Sequence, residues 1–173
     1  MYVENSEADD IIATLVKQQT EDKYLIVSGD KDFVQLQHYG NVYQWSPLLK
    51  GYIGENEDPV KFLREQIIKG DRSDGVPNIL SDDEVFVRNE RQKPIKAKQL
   101  EEWTDIENIP LGAETKKYYN RNKKLIDLSQ IPQTIETNII NTYKNYKVKD
   151  RSLLLNYFID KKLKSLIDKI NDF

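Results

Sequence analysis

The run Tyr24-Leu25-Ile26-Val27, followed at once by Ser28-Gly29-Asp30-Lys31-Asp32, constrains this chain more than any other stretch. An unbroken apolar run of that length describes a strand buried on both faces, the kind found in parallel sheets covered by helices. Two aspartates set two residues apart then stand where the strand ends. Like charges in that position are tolerated by a solvated turn or by a bound cation, and the rest of the chain has to choose between them.

Around this strand the spacing predicts a helix over residues 7–19, where Ala8, Ile11, Ile12, Leu15 and Val16 recur at helical intervals after the capping-box pattern Ser6-Glu7-Ala8-Asp9. Residues 31–37 read as one or two helical turns. Residues 42–45 and 51–53 read as a hairpin around Pro47, and 59–69 as a helix with Pro59 in its first turn. Beyond that point strand signals stop. Helical spacing runs through 96–103, 113–126, 132–146 and 151–173, the last broken near 162–164. One parallel-type strand is not a sheet, so the strand at 24–27 is expected to lack a neighbour within this chain and to find one in a segment upstream.

Three acidic clusters stand out: Glu7-x-Asp9-Asp10, Asp30-x-Asp32 and Asp71-x-x-Asp74. Each has a local reading. Asp9 can close a capping box with Ser6, Asp30 or Asp32 can cap the next helix, and Asp71 and Asp74 can form Asx-turns beside Gly70 and Gly75. Taken together they point elsewhere. Ligands of open α/β sheets gather at the carboxyl ends of strands, where Asp30 and Asp32 sit, and Glu7 to Asp10 open a helix. Hard oxygen donors favour Mg²⁺ or Mn²⁺ over zinc. A pair of divalent ions would relieve the repulsion and serve in-line displacement at phosphorus.

Composition limits the alternatives. There is no cysteine in the 173 residues, which removes disulfides and thiolate metal sites. No apolar run is long enough to cross a membrane and no signal pattern opens the chain, so the expectation is a soluble, intracellular protein. The net charge of −3 hides an asymmetry: residues 1–85 carry 17 acidic against 8 basic side chains, and residues 86–173 carry 12 against 18. An acidic half suits divalent cations and a basic half suits phosphates, although solvated faces would read the same way.

The segments "SEADDIIATL", "IVSGDKDFVQL" and "KGDRSDGVPNIL" occur in the order and spacing of the structure-specific 5′-nucleases, the flap endonuclease and 5′→3′ exonuclease family. The chain resembles most the primer-removing ribonuclease H branch of that family in T-even phages, and the likeness continues through "VYQWSPLLKGYI", "LIDLSQIPQTIETNIINTYKNY" and "SLIDKINDF". The resemblance implies an α/β fold, the C-terminal part of a PIN-like (resolvase-like) parallel-sheet nuclease domain over 1–70. A mainly helical, duplex-binding domain with a helix–hairpin–helix-like element is implied over 71–173. It further implies Mg²⁺-dependent phosphodiester hydrolysis with two ions, Mn²⁺ as a substitute, and Glu7, Asp9, Asp10, Asp30, Asp32, Asp71 and Asp74 as metal-site acids. Asp9, Asp10, Asp30 and Asp32 would be catalytic. Expected substrates and partners are branched or nicked DNA and RNA–DNA duplex in the cytoplasm of an infected host cell, and replication proteins. The family's first strand, two further aspartates and single-strand-threading arch have no counterpart here. The expectation is therefore a C-terminal half that needs a separate N-terminal half for activity. A non-catalytic DNA-binding or scaffold module is the competing reading.

Within "GDRSDGVPNIL", Arg72 and Gly75 fall where the family grips duplex backbone, often with a monovalent cation in the loop. Here Ser81-Asp82-Asp83-Glu84 follows, which argues against potassium. Arg88, Arg91, Lys93, Lys96 and Lys98 are candidate phosphate contacts, with a solvated face as the alternative. His38 reads as a surface or packing residue. Trp45, Trp103 and the tyrosines at 118, 119, 143, 146 and 157 read as core.

Overall fold

A computed structural model describes residues 1–18, 21–105, 111–147 and 151–172. Gln19 and Phe173, expected ends of the first and last helical stretches, lie outside the described residues. Helix α1 (Ala8–Gln18) starts one residue later than the capping pattern suggests. The Glu7 N–H donates to Asp10 Oδ2 at 2.9 Å, while the Ser6 hydroxyl turns back to the Val3 carbonyl. Asp10 thus takes the reciprocal capping position and leaves Asp9 free of it.

Strand β1 (Tyr24–Val27) is followed by a 3₁₀ helix, Lys31–Tyr39, and by β2 (Val42–Ser46) and β3 (Gly51–Tyr52). β1 pairs in parallel with β2, Leu25 opposite Tyr43 and Val27 opposite Trp45, and β2 pairs antiparallel with β3. The expectation that β1 has no neighbour in the chain is therefore corrected. The connection over 28–41 is long enough for a parallel crossover, and its 3₁₀ helix buries Phe33, Val34 and Leu36. The partner was hidden because β2 alternates, with Val42, Gln44 and Ser46 inward, a pattern that advertises only its hairpin with β3.

One face of this sheet is covered. Ile26 and Val42 pack with Ala13 and Val16 of α1 and with Phe33 and Leu36, and Tyr24 joins at the edge. The other face is open: Leu25 is 56% exposed, Val27 64%, and Tyr43 and Tyr52 also face outward. Trp45 stands edge-on to Tyr52 there, ring centroids 5.1 Å apart.

Helix α2 (Pro59–Lys69) is capped by Asp58, which accepts from the Val60 and Lys61 N–H groups, with Pro59 at its start. It ends at Gly70, whose φ is +69° and whose Cα backs onto the Val76–Pro77 peptide; an added Cβ would meet the Val76 carbonyl oxygen at 2.3 Å. Only glycine suits that position. The chain then turns through Asp71 to Val76, closed by the Val76 N–H to Asp71 carbonyl bond of 2.6 Å. Helix α3 (Ala97–Asp105) begins well beyond, so the expected hairpin element is built of turns over residues 71–96. Helix α4 (Ala113–Ile126) packs on α2, joining Ile67 to Val76 and Ile126, and Ile68 to Ile79 and Tyr118, with Leu100 and Trp103 of α3.

Helix α5 (Gln133–Lys144) lies against α1, where Lys17 Nζ meets the buried Glu136 at 2.7 Å. The last stretch breaks where the repeat faltered: α6 (Leu154–Asp160) and α7 (Lys164–Ile167) flank Lys162, which has φ +55°. Of the aromatics read as core, Trp103, Tyr118 and Tyr119 pack inward. Tyr143, Tyr146 and Tyr157 are corrected to the surface: Tyr143 and Tyr157 lie on the outer faces of α5 and α6, and Tyr146 follows the end of α5.

Candidate metal centre

Three elements carry acids to one place: the start of α1, the exit of β1 and the turn after α2. Carboxylate oxygens of Asp9, Asp30 and Asp32 lie within 4.8 Å of one another, and those of Asp32, Asp71 and Asp74 do the same. Asp32 belongs to both groups. With Glu7, Gln66, Val76, Leu125 and Ile126 these acids line a polar cleft of about 460 Å³. Asp10 joins neither group, since it faces the Glu7 N–H as a cap.

The local readings of these acids are met as well. Asp30 Oδ1 accepts from the Asp32 N–H at 3.0 Å and caps the 3₁₀ helix. Asp71 Oδ1 accepts from the Ser73 N–H at 2.7 Å, from the Ser73 hydroxyl, and from the Asp74 N–H at 3.4 Å. Asp32 Oδ1 accepts from Gln66 Nε2 at 2.6 Å. In each case one oxygen fixes the carboxylate, and no described hydrogen bond reaches Oδ2. Capping and convergence are thus compatible uses of the same side chain.

The cluster strains its own charges. Burial first, then the charges of Asp30, Asp32, Glu7 and Asp10, push the Asp9 carboxyl up to about 6. Burial also raises Asp32, opposed by its hydrogen bond from Gln66, and the charges of Asp30, Asp71 and Asp74 raise it further. Asp71 is lowered, chiefly by the Ser73 hydroxyl. Among the described residues no lysine or arginine pairs with Asp9, Asp30, Asp32, Asp71 or Asp74. An oxygen-only donor set with unbalanced charge fits hard divalent cations.

Two positioning residues were not anticipated from the sequence. Gln44, fully buried in β2, donates Nε2 to the Ser28 carbonyl at 2.9 Å and to the Asp30 carbonyl at 2.5 Å, holding the loop that presents Asp30. Gln66 reaches Asp32 from the last turn of α2, and its buried Oε1 has no described partner. The available signal was a glutamine at an inward position of each apolar element.

The candidate nucleic-acid contacts are scattered. Arg72 lies 6.0 Å from the Phe86 ring centroid, and Gly75 takes φ +73° in the turn. Arg88 is held by Asp82 at 2.7 Å, Glu84 at 3.1 Å and Glu90 at 3.1 Å. Lys98 is 3.9 Å from Glu102, while Arg91, Lys93 and Lys96 are exposed without a described ion pair. The hairpin loop already contains a cation. Arg121 donates to the Pro77 carbonyl at 2.8 Å and to the Asn78 and Ser81 carbonyls at 3.4 Å, and pairs with Asp83 at 2.5 Å. Asn122 adds bonds of 2.8 Å to the Pro77 and Ile67 carbonyls. His38 sits on the surface, Nδ1 2.6 Å from the Gln35 carbonyl oxygen, outside the cleft.

Known proteins resemble this chain along its whole length. The family described as 5′-3′ exonuclease, N-terminal resolvase-like domain, matches residues 1–68. The family described as T4 RNase H, C terminal, matches residues 60–173. Ribonuclease H of Enterobacteria phage T4 is 36% identical over a 182-residue alignment covering 100% of this chain and 60% of that protein. Flap endonuclease Xni of Shewanella halifaxensis (strain HAW-EB4) is 33% identical over 84 residues, 43% of this chain and 33% of that protein. The chain thus spans less than two thirds of the length of these relatives. The crystal structure of T5 D15 protein co-crystallised with metal ions is similar in fold, with TM-score 0.54 and 17% identity over 82% of this chain and 60% of that one. A match that takes in well over half of the chain places this protein in the family of the T4 RNase H C-terminal region, with residues 1–68 matching the resolvase-like 5′-3′ exonuclease domain.

Proposed function

We propose that this chain carries the metal-binding and duplex-binding part of a phage 5′→3′ nuclease that removes flaps or RNA primers by phosphodiester hydrolysis. The observation that carries the reading is the pair of carboxylate groups sharing Asp32, with no described cation to balance them. Asp9, Asp30, Asp32, Asp71 and Asp74 would hold two Mg²⁺ ions, or Mn²⁺ in their place, and Glu7 would act from the rim through water. Bound there, such a pair would supply positive charge to an in-line displacement at phosphorus. The protein's own part is to hold its carboxylates still: Gln66 orients Asp32, Gln44 fixes the Asp30 loop, and Ser73 fixes Asp71. Asp10 would serve the site by capping α1.

The domain division would be 1–70 for the metal-binding α/β part and 71–173 for the helical part, with Asp71 and Asp74 reaching back across the boundary. Arg72, Gly75, Arg91, Lys93, Lys96 and Lys98 would meet the phosphates of branched or nicked DNA and of RNA–DNA duplex, and Arg88 would hold its own acidic turn. With Arg121 seated among the loop carbonyls, no potassium ion is required there. The open sheet face of Leu25, Val27, Tyr43 and Tyr52 supports completion by an N-terminal segment, since parallel sheets are covered on both faces. The setting would be the host cytoplasm during replication.

Calorimetric titration of Mg²⁺ and Mn²⁺ into the chain and into Asp32→Asn tests this. Saturable binding of more than one ion, lost in the variant, is expected. Absence of metal binding overturns the reading in favour of a non-catalytic DNA-binding module.

A further inference from the structure

Helix α4 carries its residues in two stripes. Tyr118, Asn122 and Ile126 turn inward. Ala113, Lys116, Lys117, Asn120, Arg121 and Lys124 recur at the i, i+3, i+4 spacing of a single helical face and, with Leu125, line a shallow surface groove of about 720 Å³. Leu125, 64% exposed, also lines the acid cleft. The groove therefore runs along α4 and meets the acid cleft of Asp9, Asp30, Asp32, Asp71 and Asp74 at Leu125, the residue that lines both.

The charge of this groove is not balanced within the described chain. Arg121 is taken up by Asp83 and the loop carbonyls. Lys116, Lys117 and Lys124 have no described carboxylate partner; Lys117 only lies over the Tyr118 ring, 5.7 Å from its centroid. Glu114, the one acid on the helix, meets the Tyr118 hydroxyl instead. By contrast, Arg88 of the stretch expected to bind phosphate is already held by Asp82, Glu84 and Glu90.

We propose that this face of α4 is a track for a nucleic-acid backbone, leading a phosphodiester strand into the acid cleft. The eight-residue interval from Lys116 to Lys124 spans roughly 12 Å at about 1.5 Å per residue. Each strand of a duplex presents one phosphate per about 3.4 Å of axis, so that interval matches three or four phosphates. The juxtaposition explains how a cleft of like negative charge can accept a polyanion: the lysines beside it supply the attraction and bound metal supplies the rest. Asn120, neutral and between the lysine pairs, can donate to a phosphate or sugar oxygen without adding charge. The inference rests on the phosphodiester chemistry proposed above and names the surface that delivers its substrate.

The test is fluorescence anisotropy with a labelled DNA duplex bearing a 5′ single-stranded overhang, titrated at several salt concentrations with and without Mg²⁺. The proteins are the parent, the triple variant Lys116→Ala/Lys117→Ala/Lys124→Ala, and a control triple Lys161→Ala/Lys164→Ala/Lys169→Ala of equal charge change. The α4 variant should bind about tenfold or more weakly at low salt, and the slope of log affinity against log salt should fall by roughly 2–3, about 0.9 per lost phosphate contact. The control should stay close to the parent. Because the three lysines are solvent-facing, both variants should melt with the parent, and Lys→Gln versions repeat the test without altering helix propensity. Equal losses in the α4 and control variants, or parent-like affinity and slope in the α4 variant, overturn the track. If calorimetry still finds metal binding in the parent, the metal-site reading survives that failure. A parent that binds metal but no nucleic acid overturns the track and the substrate assignment together.

Discussion

Asp32 is the residue on which most of the site converges, and its environment yields two measurable consequences. Gln66 is its neutral anchor. Outer partners of metal ligands commonly change affinity by about 10–100-fold when removed. Gln66→Leu should therefore weaken Mn²⁺ binding, followed by electron paramagnetic resonance of the free ion, by about that factor. The apo melting temperature should barely move, because the buried Oε1 is already unpartnered. An unchanged affinity removes Gln66 from the site. Asp9 supplies a pH dependence. Its folded-state carboxyl lies at about 6, above its ordinary 3.8. The fold thus favours the protonated form: the apo protein gains stability from Asp9 below about 3.8 and loses that contribution as pH rises through about 6. Melting temperatures without metal should fall across that window, while Mg²⁺ affinity rises across it as the proton leaves. Asp30 separates its two roles. Asp30→Asn should keep the cap on the Asp32 N–H and lose much of the metal-induced rise in melting temperature, whereas Asp30→Ala should lose the cap too, costing about 0.5–2 kcal/mol. A full metal-induced rise in both variants would reduce Asp30 to a cap.

At the scale of elements, the turn after α2 determines whether the second carboxylate group forms at all. Gly70 has positive φ and backs onto the Val76–Pro77 backbone, which cannot swing aside as a side chain could. Gly70→Ala should destabilise the protein by more than about 1 kcal/mol. It should also weaken metal binding, because Asp71 and Asp74 ride on that turn. Denaturant unfolding paired with calorimetry checks both, and a stable variant with parent-like metal binding contradicts the account. Asn122 works from the opposite side. Its buried amide ties the α2 carbonyl of Ile67 to the loop carbonyl of Pro77, so replacement by leucine strands acceptors in the core, at a typical cost of about 1–3 kcal/mol. Element positions were readable where caps and breakers punctuate the chain. Pro59 and Gly70 bracket α2, and the falter near Lys162 separates α6 from α7. The parallel pairing of β1 with β2 was not readable, because it depends on a 3₁₀ connection whose buried Phe33, Val34 and Leu36 carry no strand or helix period of their own.

For the whole molecule, the proposed need for a second segment rests on the open face of the sheet. Leu25, Val27, Tyr43, Trp45 and Tyr52 form an apolar and aromatic surface on one side of three short strands. The outer edge of β1 faces no described strand, and such an edge invites pairing. Purified chain given Mg²⁺ and a labelled 5′-flap or RNA·DNA hybrid should turn over little on its own. A segment corresponding to the remaining length of the T4 relative should form a complex by size exclusion and raise cleavage by ~10²–10³ or more, the scale on which removing part of a preorganised electrostatic site is felt. Turnover by the chain alone at the rate of a full-length relative would refute this.

What the amino-acid sequence determined by itself is the identity of the acids and the order of the elements that carry them. A carboxylate at a helix start, a strand exit or a glycine turn is placed by local rules of capping and turn chemistry, which read over a few residues. The sharing of Asp32 between two carboxylate groups belongs to the tertiary structure. So do its hold by Gln66, the seating of Arg121 in the hairpin loop and the place of Leu125 of α4 beside both the acid cleft and the lysine groove. Each joins segments tens of residues apart, where the separation is closed by packing of α2 against α4 and of α1 against the sheet, and no periodicity within one segment encodes that distance.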